Sequence, residues 1–290
     1  MSAAVHTEGL GKRYGRAWAL HDCTLELPQG RIVGLVGPNG AGKTTLLHLA
    51  IGLLQPTVGT VRLFGEPVRM DRPEGLAQIG FVAQDHPLYR GFTVADLLHL
   101  GRSMNPGWDQ ATAQRRLHDV GVPLHRKTRK LSGGQQAQVA LTLALAKQPR
   151  LLVLDEPVAS LDPIARREFM RALIDAVASS DLTVLLSSHV VAELERVCDH
   201  LILLRDGTIR LAGSIDGLLA SHRVLVGPRD DQPDHVGVVT ATHGNRHSNL
   251  LVRMPADTAI HPRWHAHPVS LEDLVLGYLE PDPSTVARKG

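Results

Sequence analysis

Cysteine is scarce in this 290-residue chain, with Cys23 and Cys198 as its two representatives. They stand far apart and form no CxxC pair, which excludes a disulfide framework and reads as the reduced thiols of a cytosolic protein. Neither sign of charge dominates, with 31 basic against 29 acidic residues. Nothing therefore points to a concentrated basic surface for coating nucleic acid, and bulk charge names no partner. Long apolar runs are also missing. The longest, LLHLAIGLL at 46–54, carries His48 and falls short of the roughly 18–20 residues needed to cross a bilayer. The N-terminus, MSAAVHTEGL, lacks a basic segment followed by an apolar stretch, which argues against a signal peptide. If such a chain works at a membrane, another subunit must supply the span.

What is present is ordinary in bulk and regular in order. A hydrophobic content of 43% with 21% charged residues suits a globular protein with a full core. Strand and helix signals alternate. RIVGLVG is a β-branched-rich strand that ends in a Gly/Pro/Asn turn, and TTLLHLAIGL continues as a helix. GTVRLFGEPV reads as a strand or hairpin arm, and IGFVAQ as a buried strand. From Thr93 the character becomes helical, in TVADLLHLGRSM and then WDQATAQRRLHDVG. LLVLD and TVLLSS are continuous apolar strands, as expected in a parallel sheet covered on both faces. Asp162 and Pro163 look like the cap and first position of a helix, VVAELERVCDH forms a later one, and LILLRDGTIRLAG gives a hairpin around Asp206-Gly207. The core is an α/β sheet with crossover helices.

Two motifs carry chemistry. GPNGAGKTT matches the phosphate loop GxxxxGK[ST] and lies between a strand and a helix. Backbone N–H groups made accessible by Gly37, Gly40 and Gly42 would cradle phosphates at the helix N-terminus. Lys43 would reach the β- and γ-phosphates, and the Thr44 hydroxyl would ligate Mg²⁺. The strand LLVLDE delivers Asp155 to the metal shell and Glu156 to poise a water. Two carboxylates ending an apolar strand are costly unless cation or water satisfies them. A nucleoside triphosphate is thus bound and hydrolysed. LSGGQ at 131–135 is then a puzzle, because a second glycine-rich helix start has no evident use beside a complete phosphate loop.

GPNGAGKT, Gln84, LSGGQ, LLVLDEP, SLDP and SSH, in that order and spacing, resemble the ATPase subunit of an ATP-binding cassette (ABC) transporter over roughly residues 5–215. The resemblance implies a head-to-tail dimer in which the signature of one subunit closes over ATP held by the other. Ser132, Gly133, Gly134 and Gln135 would then clamp a partner's γ-phosphate, so a complete site exists only in the dimer. It also implies nucleotide contacts from Pro38, Asn39, Ala41 and Thr45 in the loop, and adenine stacking by Tyr14. Gln84 would touch metal or water and join the helical insert. Asp162 would lie in a loop crossing the dimer interface, a role compatible with its N-cap position, and His189 would contact the γ-phosphate. The implied fold is a P-loop NTPase core with an N-terminal antiparallel β subdomain, a helical insert at about 85–135 facing a membrane permease subunit, and a small C-terminal α+β extension. The domains expected are 1–215 and 216–290. The implied ligands are ATP and Mg²⁺. One departure is the QQAQ after the signature, with Gln136 and Gln138 where many relatives carry basic residues.

SLEDLVLGYLE at 270–280 and NPGWDQATAQRRL are similar to segments of bacterial exporter (ABC-2 type) ATPases whose membrane partners are separate chains. The expectation is therefore an export ATPase, homodimeric as the resemblance implies, at the cytoplasmic face of the cell membrane, with no nucleic acid partner. An importer ATPase and a soluble cassette ATPase acting on ribosomes or DNA remain as alternatives. Against the soluble class stand a single GKT, a single LSGGQ and the lack of coiled-coil or zinc insertions. HPRWHAHP at 261–268 brings His261, His265 and His267 together, but no nearby cysteine or carboxylate completes a metal set and two prolines constrain the backbone. It reads as an irregular polar loop.

Overall fold

The computed structural model describes residues 3–68, 73–229, 237–255, 258 and 260–280. In chain order the elements are β1 (Ala3–Tyr14), β2 (Ala17–Pro28), β3 (Ile32–Val36), α1 (Lys43–Ala50), β4 (Val58–Leu63), β5 (Glu66–Pro67), α2 (Pro73–Ala77), β6 (Ile79–Val82), α3 (Val94–Met104) and α4 (Gln110–Asp119). There follow α5 (Gly133–Ala146), β7 (Leu151–Asp155), α6 (Pro163–Ala178), β8 (Thr183–Ser187), α7 (Val191–Val197), β9 (His200–Arg205) and β10 (Thr208–Ser214). The C-terminal elements are α8 (Ile215–Ala220), β11 (His222–Pro228), β12 (Gly237–His243), β13 (His247–Arg253), β14 (His265–Pro268) and α9 (Leu271–Leu279).

The central sheet has the order β10-β9-β3-β8-β7-β6 and is parallel apart from β10. Every residue of β3, β7 and β8 is buried, because both faces of the sheet are covered. Strand alternation divides these residues between two cores. Val33, Leu35, Leu151, Val153, Leu185 and Ile202 face α1 and the antiparallel sheet β2-β1-β4-β5. Ile32, Val36, Leu152, Leu154, Val184 and Leu203 face the helices, with Leu141, Phe169 and Leu194. Each leucine fully removed from water here contributes about 1.5–3 kcal/mol of burial free energy.

The insert forms its own small core from Leu97, Leu98, Ala113, Leu117 and Val139. Its helices begin on side-chain caps. Thr93 and Asp96 make a reciprocal capping box on α3, and Asp109 caps α4 through the Thr112 N–H. At the C-terminus a four-stranded antiparallel sheet has the order β12-β13-β11-β14. One side carries Leu225, Leu250, Val252 and Trp264 in a separate cluster. The other joins the main core through Leu251, Val269, Leu271, Leu274 and Val275, so α9 seats this sheet against the cassette.

Two elements differ from expectation. His265–Pro268 is an edge strand paired with β11, rather than irregular loop. All four of its residues are exposed, so it has no apolar alternation to announce it, and its hydrogen-bonded partner supplies the strand geometry. Trp264, just before it, is buried. The expected strand IGFVAQ ends at Val82, which leaves Gln84 two positions into the following turn. Among the described residues no group of three or more His, Cys, Asp and Glu side chains gathers to hold a metal, and no helix is long and apolar enough to cross a membrane.

Candidate functional site

The site lies where β3, β8 and β7 end side by side, as ligand sites in open α/β sheets do. Register pairs Ser187 with Leu35 on one side and with Asp155 on the other. The loop after β3 then turns into α1. Gly37 has no room for a side chain, since a Cβ there would meet the Leu204 carbonyl oxygen at 2.1 Å. Gly42 adopts φ +103°, and a Cβ would meet the Ala19 carbonyl oxygen at 2.6 Å. Only glycine combines that left-handed backbone with so close an approach of β2. Ala41 donates its N–H to the Pro38 carbonyl and accepts from Gly207 N–H with its own, so the β9–β10 turn braces the loop from behind.

Lys43 is buried. Its ammonium donates to the carbonyls of Gly37 (2.9 Å) and Pro38 (3.3 Å) and pairs with Glu156 Oε1 at 3.2 Å. The other carboxylate oxygen of Glu156 lies 3.0 Å from His189 Nδ1. Glu156 sits at φ +44°, a backbone state that non-glycine residues rarely adopt. Its N–H is held by Ser187 Oγ at 2.8 Å. The strand thus ends in an abrupt turn that swings the carboxylate away from the sheet.

Asp155 is 4% exposed. Its two oxygens accept from the hydroxyls of Thr44 (2.7 Å) and Ser187 (2.8 Å), and among the described residues no cation pairs with it. A buried carboxylate held only by neutral hydroxyls is short of positive charge. Hydroxyl and carboxylate oxygens are the donors that Mg²⁺ takes, one or two from protein and the rest from water and phosphate. Asp155 and Thr44 therefore fit the ion that the phosphate loop implies.

Beside these groups lies a cleft of about 730 Å³ whose lining includes Lys43, Thr44, Thr45, Gln84, Glu156 and His189, with Asn39 and Gly40 of the loop. Other expected residues lie elsewhere. Tyr14 stands half-exposed near the β1–β2 turn with the Lys12 ammonium 5.5 Å from its ring centroid, outside the cleft lining. Ser132 and Gln135 cap α5 reciprocally at 3.2 Å. Ser132 and Gly133 are exposed, and the LSGGQ segment does not line the cleft of its own chain. Asp162 accepts from the N–H groups of Ile164 and Ala165 at the start of α6. There Ala165 packs against the signature helix so closely that a Cβ on Gly134 would lie 2.8 Å from its Cβ.

Ser187 was not singled out from sequence. SSH ends an apolar strand, but only pairing with β7 reveals that its first serine bridges Asp155 and the Glu156 backbone. A second cavity, of about 440 Å³, separates the insert from the sheet and is lined by Phe81, Leu88, Tyr89, Met104 and Trp108 among others. Tyr89 is 64% and Met104 71% exposed. His86 on its margin is buried, its Nε2 has no hydrogen-bond partner among the described residues, and burial pulls its pKa below the ordinary histidine value.

The ABC transporter family model matches residues 20–159. A second model, an AAA domain described as a putative AbiEii toxin of a type IV toxin–antitoxin system, matches residues 126–195. The chain is 34% identical over 221 residues to the sulfate/thiosulfate import ATP-binding protein CysA 1 of Agrobacterium fabrum, covering 73% of this chain and 64% of that one. It is 32% identical over 213 residues to the lantibiotic transport ATP-binding protein SrtF of Streptococcus pyogenes, covering 72% and 90%. The bacitracin transport ATP-binding protein BcrA of Enterococcus faecalis is 32% identical over 211 residues, covering 71% and 68%. Among solved structures, an ATP-binding subunit of an ABC transporter superposes with TM-score 0.67 at 27% identity, over 74% of this chain and 91% of that one. A dimeric ATP-binding cassette in a post-hydrolysis state with ADP and Pi gives 0.65 at 26%, over 73% and 98%. Sequence kinship over nine-tenths of one such relative, carried on the same P-loop fold, shows that this chain belongs to the ATP-binding cassette family of transporter ATPases.

Proposed function

We propose that the chain is the ATP-hydrolysing subunit of an exporter whose membrane path is formed by separate permease chains, and that it works as a homodimer at the cytoplasmic face of the cell membrane. The observation that carries the catalytic part is the contact set Lys43–Glu156–His189 beside Thr44–Asp155–Ser187. ATP phosphates would lie along the N–H groups of residues 37–45, where the dipole of α1 favours an anion. Lys43 would exchange Glu156 for the β- and γ-phosphates. Thr44 and Asp155 would hold Mg²⁺, with Gln84 of the cleft lining as a further candidate oxygen donor, and the ion would supply neutralisation of phosphate charge. Glu156, released from Lys43, orients a water and takes its proton as the oxygen attacks the γ-phosphorus. The bond to the β-phosphate oxygen breaks, and ADP and phosphate leave. His189 keeps the carboxylate aimed and donates toward the γ-phosphate.

The outward-facing signature supports the shared-site reading. Ser132, Gly133, Gly134 and Gln135 form a capped helix start outside the cleft of their own chain, and the nucleotide of a second copy would give it an anion to hold. Asp162, exposed at the start of α6, would meet the partner on assembly, whereas Tyr14, exposed near the β1–β2 turn, would stack on the adenine of the nucleotide held by its own chain's phosphate loop. The groove lined by Leu88, Tyr89, Met104 and Trp108, with Tyr89 and Met104 exposed, is assigned to a cytoplasmic loop of the permease, since a concave apolar surface on the helical insert suits a protein segment.

Export is favoured over import by the lantibiotic and bacitracin transport relatives, of which the chain covers 90% and 68%. The importer reading rests on the sulfate relative, of which it covers 64%. Purification from native membranes followed by transport in inside-out vesicles separates the two. Export predicts a copurifying permease and ATP-dependent accumulation inside those vesicles. Copurification with ribosomes, or uptake that runs only in right-side-out vesicles, overturns it.

A further inference from the structure

Behind the site, a second set of polar contacts links α6 to the segment carrying His189. Ser188 is 4% exposed. Its Oγ accepts from the Val190 N–H at 3.0 Å and donates to Glu193 Oε2 at 3.2 Å. These two bonds bracket His189 on both sides along the chain. Glu193 lies in the first turn of α7 with its side chain 13% exposed. Its other oxygen, Oε1, faces the Arg166 guanidinium at 2.8 Å, an ion pair too oblique to count as a hydrogen bond. Arg166 also reaches back to the Leu161 carbonyl at 3.4 Å, next to Asp162.

Val190, the residue that starts α7, offers no side-chain cap. The first turn is therefore held by Ser188 and by the Glu193 carboxylate, whose charge suits a helix N-terminus. Because His189 is half-exposed and touches Glu156, little else restrains it. A carboxylate set by an ion pair on the neighbouring helix fixes the serine, and the serine fixes the backbone on either side of the histidine.

We infer that Glu193 is a positioning residue for ATP hydrolysis, holding His189 against Glu156 through Ser188 and linking that geometry to the Asp162 loop through Arg166. The inference rests on the catalytic reading of Glu156 and His189 given above. Its competitor is a plain ion pair that merely fastens α7 to α6.

The two accounts differ in turnover against affinity. The full-length protein is assayed for ATPase kcat and KM, nucleotide affinity and thermal midpoint. Glu193→Ala and Ser188→Ala are each expected to lower kcat on the order of tenfold, as small misplacements of a reacting group do, with ATP affinity unchanged. The double variant is expected to be no worse than either single one, because both act through one contact. Glu193→Gln, which retains an acceptor for Ser188, is expected to recover most of the turnover. Wild-type kcat in Ser188→Ala, or kcat losses that multiply in the double variant, overturns the inference. So does a fall in kcat that only mirrors a fall in folded fraction. If Glu193→Ala does not fold, Ser188→Ala and Glu193→Gln decide the question in the same terms. Glu156→Gln is run alongside. A stalled Glu156→Gln with unaffected Ser188→Ala defeats this inference alone, whereas turnover retained in Glu156→Gln defeats the catalytic reading on which it stands.

Discussion

Lys43 Nζ lies 3.2 Å from Glu156 Oε1, with the side chains 5% and 12% exposed. The cation meant for phosphate and the carboxylate meant for water thus neutralise each other. A buried ammonium and carboxylate are each expensive alone, so pairing satisfies these two charges until phosphate competes for the lysine. On the proposed mechanism, substrate binding and release of the base would be one event.

Glu156→Gln follows from that pairing. The amide keeps the shape and the reach to His189 but loses the charge that attracts Lys43 and accepts a proton. Turnover should fall about 10²–10⁴-fold, while ATP binds at least as tightly because the lysine has lost its competitor. Steady-state ATPase rates and equilibrium nucleotide binding, measured on the same preparation, check both halves. Near-wild-type turnover removes Glu156 from its role.

The outward signature gives a complementation test. Lys43→Ala disables the phosphate loop, and Ser132→Arg places bulk and charge at the start of α5. Each homodimer then has two defective sites. After subunit exchange about half the dimers are mixed, and each mixed dimer has one site built from an intact loop and an intact signature. Vanadate-type nucleotide trapping should return on mixing although neither variant traps alone. A silent mixture, with exchange confirmed independently, sinks the shared-site reading.

Gly42→Ala tests the cradle itself. At φ +103° and 2.6 Å from the Ala19 carbonyl oxygen, a methyl group forces the loop and β2 apart, at a cost of at least about 1–3 kcal/mol. Urea unfolding should report that loss together with loss of ATP binding. A variant as stable as the parent would mean that the loop yields easily.

Stability should also depend on pH through the C-terminal sheet. His222 is buried with Nδ1 at the Leu218 carbonyl and Nε2 at the Tyr278 hydroxyl, and burial lowers its pKa below 6.5. The unfolded chain then binds more protons than the folded one between the folded pKa and about 6.5. Stability should therefore fall as pH drops below about 6.5 and level off beneath the folded pKa. His86 and His200, also lowered by burial, act with the same sign. In His222→Gln the slope of unfolding free energy against pH should shrink without vanishing. An unchanged slope would show that His222 does not titrate on unfolding.

The sequence by itself determined the phosphate loop, the paired carboxylates, the signature and the succession of core strands and helices along the chain. These depend on local chemistry: glycines where the backbone must approach a ligand, unbroken apolar runs where both sheet faces are covered, and a cap residue before each long helix. What only the tertiary structure decided are relations across the sheet and between helices. Strand pairing put Ser187 against Asp155, though 32 residues separate them. Packing of α6 on α7 brought Arg166 to Glu193. Closure of the loop set Lys43 on Glu156. HPRWHAHP read as loop because an exposed edge strand carries no alternating pattern, and its β geometry comes from hydrogen bonds to β11. Local pattern encodes what a segment is, whereas register and helix packing, which arise between segments distant in the chain, decide what it touches.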